Sequence, residues 1–97
     1  MIALSEATRS RIRRLFVESE WERVEAMLSE ECGDRLPLVD TSYELLAERI
    51  RFAVLKLSAG NFAELERHVR AAQTDWRDVL LAAGFGESVR AHLEWKP

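Results

Sequence analysis

Apolar residues recur at spacings of three and four along almost the whole chain, and no stretch alternates apolar and polar long enough to form a strand. The pattern predicts an all-α fold, a compact single-domain bundle of five or six short helices spanning residues 1–97. Ser5 is placed to cap a first helix running to about Phe16, with Thr8, Ile12, Leu15 and Phe16 on one face. The apolar stripe then changes phase to Trp21, Val24, Leu28 and Cys32, which two helices meeting at an angle explain better than one rod. Ser19 with Glu22 three residues on reads as the capping box that opens the second helix, and Gly33 as the left-handed residue that closes it.

The loop from Asp34 to Asp40 carries Leu36, Leu38 and Val39 around Pro37, so it is expected to lie on the core. Thr41 and Glu44 form a second box opening Ser42 to Ser58, the longest clear helix. Its stripe is Leu46, Ile50, Ala53, Val54 and Leu57, widened by Leu45 and Phe52, which predicts a central helix touched on two sides. Gly60 ends it, and Asn61 with Glu64 is a third box before Phe62, Leu65, Val69 and Ala72. Thr74 or Asp75 caps a short helix from Trp76 to Ala83, Gly84-Phe85-Gly86 closes it with Phe85 turned inward, and Ser88 caps a last turn or two to Leu93.

Trp21, Trp76, Phe16, Phe52 and Phe62 occupy stripe positions and are expected in the core. Trp95 belongs to no stripe; it either folds back as a lid or presents itself to a partner, and the lid is favoured. At 97 residues and 47% apolar, the chain has enough apolar surface for one core and too much for disorder. A single cysteine forbids an internal disulfide, the N-terminus lacks the build of a signal peptide, and the longest apolar run is Val79 to Ala83, far short of a span. A cytoplasmic protein with no membrane contact is the expectation.

Candidate chemistry is thin. Gly86-Glu87-Ser88-Val89-Arg90 lacks the second glycine and the preceding strand of a nucleophile elbow. Cys32 sits at the negative end of a helix, where a thiolate is disfavoured and a structural thiol is the simpler reading. His68 and His92 are far apart in sequence and neither has metal-ligand spacing; Glu64 and His68 suit an exposed ion pair. Catalytic residues, metal ligands and cofactors are therefore expected to be none. The segment Asn61–Ala72 followed by Trp76–Ala83 has the outline of a helix-turn-helix, yet only Arg77 of its second helix could reach a groove, and Asp78 beside it repels phosphate.

Charge is the more informative quantity. The net charge of −3 resolves into +3 over residues 1–16, −6 over residues 17–34 and an even balance in the remainder. Arg9, Arg11, Arg13 and Arg14 lie opposite the apolar face of the first helix, and Glu22, Glu25 and Glu30 follow on the second. Glu30 and Glu31 stand at the unfavourable end of the helix dipole, with Arg35 or the arginines of the first helix as the nearest compensation. The basic first helix is expected to pair with the acidic second one, within the molecule or head-to-tail between copies.

The run Thr74 to Phe85, with His92 and Trp95-Lys96-Pro97 after it, resembles the C-terminal part of small uncharacterised bacterial all-α proteins, and Glu48 to Ser58 is similar to their central helix. The resemblance covers the second half of the chain and implies a bacterial origin and a helical fold, with no transferable activity. The leading expectation is a non-enzymatic protein–protein interaction module, self-association included, whose candidate contacts are Arg9, Arg11, Arg13, Arg14, Glu22, Glu25, Glu30 and Trp95. The alternative is a nucleic-acid-associated regulator using the basic first helix, with nucleic acid the less favoured partner for a net-negative chain.

Overall fold

The computed structural model describes residues 3–33, 35–37 and 43–97, the side chains of Tyr43 and Glu44 excepted. Five helices follow one another: α1 Glu6–Leu15, α2 Glu18–Glu31, α3 Tyr43–Ser58, α4 Phe62–Ala82 and α5 Ala91–Glu94. The described residues contain no strand. α3 is the hub, packed against α1, α4 and α5, while α2 bridges α1 and α4. Ile50, Phe52, Ala53, Val54 and Leu55 are all buried because α1, α4 and α5 cover most of this helix. The radius of gyration, 11.8 Å, is near the roughly 13 Å of a hundred-residue globular domain.

Capping explains most boundaries. Ser5 Oγ accepts from the Thr8 amide at 3.1 Å, and Asn61 Oδ1 accepts from the Glu64 amide at 3.0 Å, so one orphan donor at each helix start is met. α4 ends in a Schellman motif: the Phe85 amide donates to the Leu80 carbonyl and the Gly84 amide to the Leu81 carbonyl, with Gly84 at φ 81°. Phe85 is buried, so the turn is anchored inward as expected. Ser88 Oγ accepts from the Arg90 amide and so caps the turn that leads into α5.

Four expectations need correction. α2 begins at Glu18, not behind a Ser19 cap. Phe16 and Val17 are both extended, Val17 is the cap residue without a side-chain hydrogen bond, and Trp21 Nε1 donates to the Phe16 carbonyl at 2.8 Å to hold the corner. Gly33 is not left-handed, and its role is steric. A β-carbon there would stand 2.8 Å from Arg51 Nη2. Leu45 does not widen the core stripe but is 70% exposed. Finally, the longest helix is α4, because the expected break at its middle shrinks to one residue. Asp75 alone leaves the helical region (φ −153°, ψ 93°), and its Oδ1 accepts from the Arg77 amide, so one helix ends and the next begins without a loop. A turn of helix-turn-helix length is not present there.

Phe52 and Phe16 are core as expected, whereas Trp21, Trp76 and Phe62 are half-buried at its margin. Leu36 lies on the core, as expected of that loop. The Thr41/Glu44 box, Leu38 and Val39 lie outside the described residues and side chains.

Candidate functional site

The arginines of α1 do not share one fate. Arg11 is buried. Its Nε and Nη2 donate to the Trp95 carbonyl at 3.2 and 2.9 Å, its Nη1 donates to the Ala7 carbonyl at 3.0 Å, and the guanidinium stands 4.1 Å over the Phe52 ring. Burial lowers its pKa, with Arg14 adding to the shift and Glu48 opposing it; a guanidinium nonetheless stays charged. Three carbonyl contacts and an aromatic face replace the water it has lost. Arg9 meets Glu25 of α2 at 3.6 Å, and Arg13 meets Glu6 on its own helix at 3.4 Å. Arg14 borders a small cleft with Ser10, Arg11, Lys96 and Pro97.

Glu22 and Glu30 are exposed, and Glu25 is half-buried against Arg9. Thus one ion pair among the described residues, Arg9 with Glu25, joins the basic helix to the acidic one. At the end of α2 Glu31 is compensated locally: Arg35 Nη1 lies 3.0 Å from it, and Gln73 Nε2 donates to both its carbonyl and carboxylate. Trp95 folds back as the lid, half-buried, with its ring 6.3 Å from those of Phe52 and Phe85.

The groups weighed for chemistry are occupied structurally. Cys32 is fully buried, and burial pushes its thiol up to about 12 despite the nearby Arg51 charge. Among the described residues no group of three or more His, Cys, Asp or Glu side chains is gathered as for a metal ion. His68 and Arg67 both approach Glu64, at 3.7 and 2.7 Å. No helix is long and apolar enough to cross a membrane among the described residues.

A different surface stands out, formed where the outer edge of α3 meets α5 and the turn before it. Leu45, Leu46, Glu48, Arg49, Val89, Arg90, His92 and Leu93 line an open groove of about 410 Å³. Leu45 and Val89 are each 70% exposed and Leu93 46%, so the rim is apolar. Behind its lining Arg49 Nε is fully buried without a hydrogen-bond partner among the described residues, and the buried His92 ring is hydrogen-bonded to the Val89 backbone. Arg49 is held in place through its other end, Nη2 donating to the Phe85 carbonyl at 2.9 Å and toward the Ser88 carbonyl at 3.4 Å. His92 is 5% exposed and packs edge-on against Phe52 at 5.1 Å. Burial lowers its pKa, and the charges of Arg49 and Arg11 lower it further, with a backbone interaction at Val89 working the other way. The ring is therefore neutral and lies in a positive field.

Arg49 also borders a second, adjoining hollow with Trp76, Arg77, Leu80, Leu81 and Gly86, in which Leu81 is 65% exposed. Leu81, Leu45, Val89 and Leu93 therefore lie around one arginine. In the sequence Leu45 and Leu46 read as core stripe, Val89 and Arg90 belong only to a failed elbow motif, and His92 is weighed and set aside as a metal ligand, so none points to a groove. What signal exists is negative: Val89 and Leu93 are apolar, four apart and claimed by no core stripe. Set against known proteins, the chain matches no protein-family profile, no curated protein and no solved structure.

Proposed function

We propose that this chain is a non-enzymatic protein–protein interaction module that docks its partner on the α3–α5 groove. The observation that carries the reading is the apolar rim of Leu45, Val89 and Leu93 around an open groove. Apolar side chains left in water gain when a partner covers them, at roughly 25 cal/mol per Å² of buried area. That term favours an occupied groove over an empty one.

The charged faces of α1 and α2 support the reading less than their sequence promised. Arg11 faces inward, while Arg9 and Arg13 already have carboxylate neighbours. They remain able to steer an approaching partner, since exposed charges act on encounter rates more than on affinity. The alternative, a nucleic-acid-associated regulator, rests on Arg14 and Lys96, which border one cleft.

The test is affinity capture from source-cell lysate with the intact chain, alongside Leu93→Asp and the double variant Arg13→Glu/Arg14→Glu. A protein retained by the intact chain and by the arginine variant, and lost with Leu93→Asp, is the expected result. Nucleic acid in the eluate that disappears with the arginine variant would replace this reading with the alternative.

A further inference from the structure

We infer that the segment docking in the α3–α5 groove is an apolar peptide segment carrying a carboxylate side chain, which Arg49 and Arg90 receive. The inference rests on the docking reading and adds the chemistry of the partner. Two arginines in the groove wall, Arg49 and Arg90, stand against one carboxylate, Glu48. Arg90 is exposed and has no ion pair among the described residues. Arg49 lines the groove with its Nη2 fixed on two carbonyls, so the guanidinium is oriented before anything binds. A planar cation with a fixed fork is suited to carboxylate oxygens, and fixing it beforehand removes part of the ordering cost of binding.

The positive field has a second source. Arg11 reaches His92 electrostatically from behind Phe52, where it also faces Glu48 of the groove wall. An incoming carboxylate therefore enters a region where the cations outnumber the anion. The apolar rim sets the other requirement. Leu45, Val89 and Leu93 would be left in water by a bare acidic loop, so the segment must bring apolar side chains of its own. An amphipathic helix laid in a groove meets both demands, with a glutamate flanked by leucines at helical spacing.

The experiment is an amide chemical-shift titration of the full chain with three probes. The first is a capped leucine–glutamate decapeptide of helical pattern, the second is its glutamine counterpart, and the third is free decanoate below its micelle concentration. The acidic peptide is expected to shift Leu45, Arg49, Val89 and Leu93 and to bind about tenfold tighter than the glutamine peptide, as a charge-assisted contact would give. Arg90→Gln, an exposed change that leaves folding alone, should remove most of that difference. Equal binding of both peptides overturns the carboxylate inference while the docking reading stands. Binding of decanoate but of neither peptide overturns a protein segment in favour of a free amphiphile. Shifts from none of the probes overturn the inference and the docking reading together.

Discussion

Arg51 shows how a single side chain can reverse the expectation for its surroundings. It sits within the most apolar stretch of α3, is 2% exposed, and donates through Nε to the Cys32 carbonyl at 2.8 Å and through Nη1 to the Ala3 carbonyl at 3.0 Å. The guanidinium thus ties three distant parts of the chain together, and it occupies the space beside Gly33. Gly33→Ala should destabilise the protein by about 1–3 kcal/mol through crowding of a side chain that is pinned and unable to swing away. Chemical denaturation would measure the loss; the same stability as the parent would show that Arg51 has room to move. The identity of Gly33 was legible in the sequence and its reason was not, because a glycine at a helix end reads as a turn residue unless a buried neighbour is known.

His92 invites a prediction at the same scale. Its folded pKa lies below the ordinary value of 6.5, first through burial and then through Arg49 and Arg11. The unfolded chain therefore binds a proton that the folded chain resists, and stability falls as pH drops below about 6.5. His68, lowered by burial and by Arg67, adds in the same direction. Unfolding free energy measured between pH 7.5 and 5.5 should decline, and His92→Gln should flatten much of the slope. An unchanged slope in that variant would contradict the assignment.

At the scale of elements, the helices of the bundle follow from local signals, and their exact joints from tertiary contact. The Ser5 and Asn61 caps and the Gly84 turn form as residue types alone suggest. The α3–α4 joint does more than turn the chain. Ala59 and Gly60 both have positive φ, 50° and 83°, and a β-carbon on Gly60 would lie 2.6 Å from the Leu15 carbonyl oxygen at the end of α1. Gly60→Ala thus meets backbone strain and a backbone clash together, and should cost at least about 1–3 kcal/mol. A melting-temperature drop of several degrees checks this, and a neutral result would mean that α1 does not press on the joint. The start of α2 was read two residues late because Ser19 and Glu22 satisfy the capping pattern, whereas packing of Phe16 and the Trp21 Nε1 bond fix where the chain bends.

At the scale of the whole molecule, the two ends of the chain are joined through Arg11 and Trp95. Arg11→Gln should destabilise the fold by about 1.5–3 kcal/mol, the range for hydrogen bonds to a charged group, while Arg14→Gln should leave it within about 0.5 kcal/mol. Equal effects of the two would argue that the Trp95 lid is held by its ring contacts alone. Periodicity revealed an all-α bundle with a central third helix, because burial on that scale leaves a repeating mark in the sequence. The groove left no such mark. It joins Leu45 and Arg49 of α3 to Val89, His92 and Leu93, more than thirty-five positions away, and only the folded chain makes them neighbours.

The central claim, that this groove receives the partner, is tested most directly by mapping amide chemical shifts of the full chain on addition of the protein it captures. Changes centred on Leu45, Arg49, Val89 and Leu93, and absent with Leu93→Asp, are the predicted result. Changes centred on Arg9, Arg13 and Arg14, with the groove silent, would contradict it.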